Sequence, residues 1–215
     1  MRRYSLSDAP TSDHFRISVK RDAGIRATHP GSDTPDTAQA AHPGWISNLL
    51  HDTLRAGDTV ELAHPFGDFF LDASDAPVVL LSAGVGITPL LAMLNTLVPG
   101  SGRKVGWVRA VRGPHEHAFR EHVARLHAEH PEQLTTAVFY SCPDGATLKK
   151  DYDVAGRMDL AKVDPGMLHL GDPAAQYYVC GPEAFMADMW QELKARGVDK
   201  ARFHAEVFGA GVLPS

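Results

Sequence analysis

The chain has 215 residues, 44% of them hydrophobic and 22% charged, with a formal net charge of −5. That length suits one large domain or two small ones, and the composition is ordinary for a globular protein. A negative balance without a basic run offers no field for nucleic acid, and the longest apolar stretches, 77–81 and 88–94, are too short to cross a bilayer. The N-terminus carries no secretory pattern. Cys142 and Cys180 lie far apart, outside any C-x-x-C, so neither a disulfide framework nor a zinc site is indicated, and a reducing cytoplasm is the plainest setting.

In chain order, the first signal is R-x-Y-S at Arg2, Tyr4 and Ser5. A cation, a ring face and a small hydroxyl together suit a planar, anionic dinucleotide such as FAD. Residues 15–20 alternate apolar with polar, which predicts a half-buried strand. Residues 21–43 are rich in Gly, Pro, Ser, Thr, Asp and Ala, and read as a long surface loop or partly disordered insertion. The spacing over 44–54 predicts a short helix with Ile46, Leu49, Leu50 and Leu54 inward; a turn at Gly57-Asp58 separates it from strands expected at 59–62 and 67–71. The first 75 residues thus read as a small β region with one helix.

Beyond Pro77 the pattern changes. Val78-Val79-Leu80-Leu81 is a continuous apolar run, expected of a strand buried on both faces. A helix follows with Leu90, Leu91, Leu94, Leu97 and Val98 at helical spacing, for which Thr88 suits the N-cap and Pro89 the first helical position. Strands are expected at 104–111, 135–141, 176–180 and 202–208, and helices at 118–128 and 182–196. Alternation of this kind predicts a parallel sheet with helices on both faces over residues 76–215.

Three stretches could carry chemistry. Gly84, Val85, Gly86, Ile87, Thr88 and Pro89 form a small-residue turn between strand and helix, where unpaired N–H groups and the helix dipole favour a pyrophosphate. The spacing is G-x-G-x-x-P rather than G-x-G-x-x-G, and a ligand-free turn reads equally well. Cys180, Gly181 and Pro182 end a later buried strand, so both turns are expected to face one crevice at the carboxyl ends of the sheet. For Cys180 itself, packing competes with a functional contact. In the tail, Phe208-Gly209 could lay a ring on a cofactor or simply close the core. His117, His122 and His127 recur every five residues, about 140° apart on a helix, so they cannot share one ion and read as a solvated face. Patterns for serine hydrolysis, zinc proteolysis and NTP hydrolysis do not occur.

Taken in order, RRYSLSDAP, ISVKR, GWISNLLHD, GDTVELAHPFGDFFL, VVLLSAGVGITPLLAML, HAFREHV, YYVCGPEAFM and HAEVFGA resemble the reductase part of flavohaemoglobins, within the ferredoxin–NADP reductase superfamily. The resemblance implies an antiparallel β-barrel that holds FAD, present here in part over 1–75, followed by an α/β NAD(P)-binding domain. It implies that Arg2 and Arg3, Tyr4 and Ser5 meet the FAD phosphates and isoalloxazine, and that Gly44, Trp45, Ile46 and Ser47 hold its pyrophosphate. It further implies that 84–89 bind the NAD(P) pyrophosphate, that Cys180, Gly181 and Pro182 lie at the nicotinamide end, and that Glu206 sits beside the flavin. Val207, Phe208, Gly209 and Ala210 would cover the ring, Ala210 standing where the family usually has proline. Glu206, Cys180 and Ser5 are the catalytic candidates, and no metal site is expected.

By the same resemblance, NADH or NADPH delivers electrons through FAD to a haem globin or another redox protein, as in conversion of nitric oxide and oxygen to nitrate. Barrel strands that precede R-x-Y-S in relatives, and a globin, are expected to be missing, as in a truncated or split reading frame, with weak retention of FAD as the consequence. A stand-alone ferredoxin or flavin reductase, and an inactive nucleotide-binding fragment, are the alternatives. Arg109 and Arg112, read as following the second α/β strand, could meet a 2′-phosphate; surface solvation is the commoner fate, and the resemblance favours NADH.

Overall fold

The computed structural model describes residues 3–22 and 44–207. Arg2, the expected loop beyond Asp22, and Phe208, Gly209 and Ala210 lie outside the described residues. The chain divides into a smaller unit, Met1–Tyr4 with Ser18–Phe66, and a larger one, Ser5–Ile17 with Gly67–Ser215.

The larger unit is built on a parallel sheet of β1 (Val78–Ala83), β2 (Val105–Val111), β3 (Leu134–Tyr140), β4 (Val154–Ala155), β5 (Gln176–Cys180) and β6 (Phe203–Glu206). Their order across the sheet is β4-β3-β2-β1-β5-β6. β1 lies between two parallel neighbours, with Leu80 opposite Trp107 on one side and Tyr178 on the other. That position explains its unbroken apolar run: Val78, Val79, Leu80 and Leu81 are all buried.

Three helices cover the sheet. α2 (Ile87–Gly100) and α3 (Arg120–Glu129) pack on the face of Leu80, Trp107 and Leu134. α4 (Glu183–Ala195) packs on the face of Leu81, Val108 and Phe139 through Met186, Met189, Trp190 and Leu193. Winding runs outward from β1 to β3, then resumes on the other side of β1 with β5 and β6. With right-handed crossovers, that reversal sends α4 to the opposite face. The expected parallel sheet with helices on both faces is therefore present, with the short edge strand β4 in addition.

The helix starts differ from expectation. A 3-10 turn at Gly84–Gly86 runs straight into α2, whose N-cap is Gly86 rather than Thr88. Thr88 already lies inside the helix, and its hydroxyl donates to the Val85 carbonyl at 3.2 Å. The first turn of α2 is left with no capping side chain and no acidic residue.

In the smaller unit, α1 (Trp45–Thr53) forms where a helix is expected. Ile46 and Leu50 are half-buried, but Leu49 is exposed, so the inward stripe is narrower than predicted. The strands expected at 15–20, 59–62 and 67–71 do not form among the described residues. Among the described residues the antiparallel barrel pairing is limited to a Leu6–Ile17 bridge, which lies in the larger unit and is supported by a 2.8 Å bond from the Ser7 N–H to the Arg16 carbonyl. Alternation specifies which face of a strand would be apolar, but a strand also needs a partner whose backbone completes the ladder.

Candidate functional site

β1 and β5 are neighbours in register, Ser82 opposite Cys180, so the turns that follow them emerge side by side. This is the point where the strand order reverses, the place at which open α/β sheets bind ligands. The two turns interlock at backbone distance. A methyl group on Gly86 would collide with the Cys180 carbonyl and lie 2.6 Å from the Gly181 nitrogen. One on Gly181 would lie 2.7 Å from the Phe185 ring and 3.0 Å from the Ala83 Cβ. Gly84 instead has open space around it, and its φ of +56° is what demands glycine.

Residues 84–89 and 180–182 are thus brought together as the sequence predicts. The uncapped first turn of α2 presents backbone N–H groups and the positive end of a 14-residue helix. A bare, glycine-floored helix start of this kind fits the phosphates of a dinucleotide, because no side chain stands between anion and backbone. Pro182 is the N-cap of α4, which carries Glu183 in its first turn; that helix start is the poorer anion site.

Cys180 is fully buried and packs in the core with Leu80 and Tyr178. Burial, with help from the Glu206 charge, pushes its thiol far up, and its Sγ–H donates to the Glu206 carbonyl at 3.5 Å. A thiol so placed is not a ready nucleophile or acid. Its surroundings correct the catalytic assignment of Cys180 towards packing.

Ser5 and Glu206, 201 positions apart, do meet: the Ser5 hydroxyl donates to Glu206 Oε2 at 3.3 Å. Burial raises the Glu206 carboxyl above its ordinary value, and the Ser5 bond pulls the other way. The next residue, Val207, packs against the α4-side core.

The smaller unit holds the remaining candidates. Arg3 is exposed, its guanidinium 5.3 Å from the centre of the Phe66 ring. Tyr4 is half-buried. Gly44 caps α1 without a side-chain bond; the Ser47 hydroxyl donates to the Gly44 carbonyl at 3.0 Å and accepts from the Asp22 N–H at 3.2 Å. Trp45 is 87% exposed.

The histidines are not a solvated face. His117 Nδ1 is 2.8 Å from the Tyr140 hydroxyl, His122 Nε2 is 2.7 Å from Asn95 Oδ1, and His127 Nδ1 is 2.7 Å from the Leu134 carbonyl. Burial, then the charges of Arg109 and Arg120, lower His117 to about 4. The partners of His117 and His122 lie 23 and 27 positions away and that of His127 lies beyond the helix end, so helical periodicity does not reveal them. Among the described residues no cluster of His, Cys, Asp and Glu could hold a metal ion.

One buried arginine has no signal in the sequence, and a second lies where solvation is expected. Arg103, 6% exposed, donates from Nε to the Ala76 carbonyl at 2.6 Å and from Nη2 to Asp72 Oδ1 at 2.8 Å. Arg109 is only 2% exposed, inside β2, and is not solvated as expected. Arg112 is exposed and pairs loosely with Glu116 at 3.8 Å. The signal for Arg109 is its place inside VGWVRAV, a strand covered on both faces; its parity with Val105 and Trp107 puts it on the α2 side.

Comparison with known proteins agrees with this architecture. Residues 80–191 match the oxidoreductase NAD-binding domain family, which sets the class: an oxidoreductase with a dinucleotide-binding α/β domain. The flavohaemoprotein of Chromobacterium violaceum is 44% identical over 211 residues, 97% of this chain and 48% of that protein. That of Rhizobium meliloti is 39% identical over the same shares. The flavohaem-like FAD/NAD-binding domain of nitric oxide dioxygenase from Vibrio cholerae superposes with a TM-score of 0.76 at 39% identity, covering 96% of this chain and 76% of that one. The chain belongs to the flavohaemoprotein family, in the reductase portion that carries the NAD-binding domain. It spans 48% of the length of those curated relatives. The cytochrome b5 reductase domain of Ulva prolifera nitrate reductase, 21% identical with a TM-score of 0.75, shares the fold.

Proposed function

We propose that the chain acts as an FAD-dependent NAD(P)H oxidoreductase module whose electrons pass to haem, in a globin domain or partner, for the conversion of nitric oxide and oxygen to nitrate. The supporting observation is the pair of interlocked glycine turns at the reversal of strand order, Gly86 against Cys180 and Gly181. When bound, the flavin supplies the exchange between two-electron and one-electron transfer, chemistry that no side chain provides.

The rest falls to this chain's own groups. The first turn of α2 binds the dinucleotide phosphates through backbone N–H groups. Gly86 and Gly181 keep the floor at backbone height, so the nicotinamide end can pass from β1 towards β5. The Ser5 hydroxyl and Glu206 carboxyl form a hydrogen-bonded pair at the end of β6; its raised carboxyl holds a proton more readily than an exposed glutamate, and is suited to orient the flavin. In the smaller unit we assign Arg2, Arg3 and Tyr4 to FAD contact and Gly44 to Ser47 to its pyrophosphate. We assign residues 1–75 to FAD and 76–215 to NAD(P)H. The described residues include no helix long and apolar enough to cross a membrane; we place the module in the cytoplasm, where Cys142 and Cys180 stay free thiols.

The test is NADH-driven reduction of ferricyanide by the full chain with FAD added. FAD-dependent turnover is the expected result; NADH binding without any turnover would leave a nucleotide-binding module and overturn the oxidoreductase reading.

A further inference from the structure

Arg103 and Arg109 are both buried, but only Arg103 is satisfied. Arg109 Nε and Nη1 are sealed from solvent without a hydrogen-bond partner, and so is the hydroxyl of Ser82. The two residues face each other in register on β1 and β2. By strand parity both stand on the side of Leu80 and Trp107, which α2 covers. Ser82 is the last residue but one of β1, two positions before the Gly84–Gly86 turn, and Arg109 is the last but two of β2.

This locality is positive from several sources. Burial lowers the Arg109 guanidinium only to about 10, with Glu116 opposing, so it stays charged at neutral pH. The same charge helps to depress His117. Beyond Ser82, the turn that follows β1 leads into α2, whose first turn adds unpaired N–H groups with no capping side chain and no acidic residue. Among the described residues Arg109 makes no ion pair, and Glu116 acts on it only through space while lying close to Arg112. A buried guanidinium with idle donors is costly unless an anion completes it. A guanidinium fork matches phosphate oxygens, and a hydroxyl adds a further donor.

We infer that Arg109 and Ser82 form a phosphate-recognising pair beneath the start of α2, which takes a phosphate of the dinucleotide. The inference rests on the dinucleotide reading above and adds to the backbone site two side chains from within the sheet. It also gives Arg109 a role that neither surface solvation nor core packing supplies.

The test uses the full chain as wild type, Arg109→Met and Ser82→Ala, with inorganic pyrophosphate and NADH as probes and adenosine as the uncharged control. Arg109→Met keeps the length of the side chain and removes the idle charge. Without ligand it is expected to melt above the wild type. Its affinity for pyrophosphate and for NADH should fall about tenfold, and Ser82→Ala about threefold, while any adenosine binding stays unchanged. Pyrophosphate binding by Arg109→Met equal to that of the wild type overturns the inference, whatever the melting temperature. If Arg109→Met does not fold, Ser82→Ala decides: weaker pyrophosphate binding supports the pair, and unchanged binding overturns it. Should the wild type bind neither probe, the dinucleotide reading falls too; should it bind NADH as tightly as Arg109→Met does, only the pair falls.

Discussion

Gly84 and Gly86 sit two positions apart, yet glycine is required for different reasons. At Gly86 a methyl group meets the backbone of Cys180 and Gly181, which cannot rotate away. At Gly84 the space is open and only the left-handed φ of +56° resists. Gly84→Ala is expected to cost about 1 kcal/mol and to retain nicotinamide-dependent reduction. Gly86→Ala should cost about 3 kcal/mol and abolish reduction, since the turns must part. Thermal unfolding and ferricyanide assays on both variants check this; equal behaviour would refute the interlock. Glu206 offers a second prediction at this scale. Its carboxyl is raised from 4.5 by burial, so the native state binds the proton more tightly than the unfolded chain does. That contribution is full below the unfolded value and is lost as pH rises through the folded one. Glu206→Gln keeps an acceptor for Ser5 and never ionises. It should melt with the wild type in acid and above it near neutrality, and a gap independent of pH would contradict the assignment.

The segment before β1 shows how an element is placed by groups that are not its own. Arg103 precedes β2 but donates to the Ala76 carbonyl, the Asp72 carbonyl and the Asp72 carboxylate. Tyr178 of β5 accepts from the Asp72 N–H at 2.9 Å and donates to its carboxylate at 3.3 Å. Burial pushes the Asp72 carboxyl up, but bonds from Ser74 and Arg103 outweigh it and hold the group below its ordinary value. Arg103→Ala leaves those carbonyls and the carboxylate without their cation, and is expected to cost about 3 kcal/mol in urea unfolding; a loss within error would show the network to be ornamental. Sequence reading located every long strand of the sheet because β1, β2, β3 and β5 carry runs or alternations dictated by burial. It misplaced the start of α2, because a 3-10 turn upstream moved the first helical turn away from Thr88. It overcalled strands at 15–20, 59–62 and 67–71, where the pattern is local but the pairing is not.

At the scale of the molecule, the reversal between β1 and β5 is what makes two distant glycine turns neighbours, and this much could be read in advance. Alternating strands and helices imply a parallel sheet, and parallel strands put all their carboxyl ends on one side. The Ser5–Glu206 pair could be expected only from family resemblance, since nothing local to either residue points to the other. The burial of Arg109 follows from its place in a strand covered on both faces, and composition points the other way, because a charged residue is usually solvated. The three tryptophans happen to sample the two units unequally: Trp45 of α1 is 87% exposed, while Trp107 of β2 and Trp190 of α4 are 1% and 5% exposed. The protein therefore carries its own optical labels. Iodide should quench the red-shifted emission of Trp45 and spare the blue-shifted pair, so a titration with denaturant read in both bands would report when each unit comes apart.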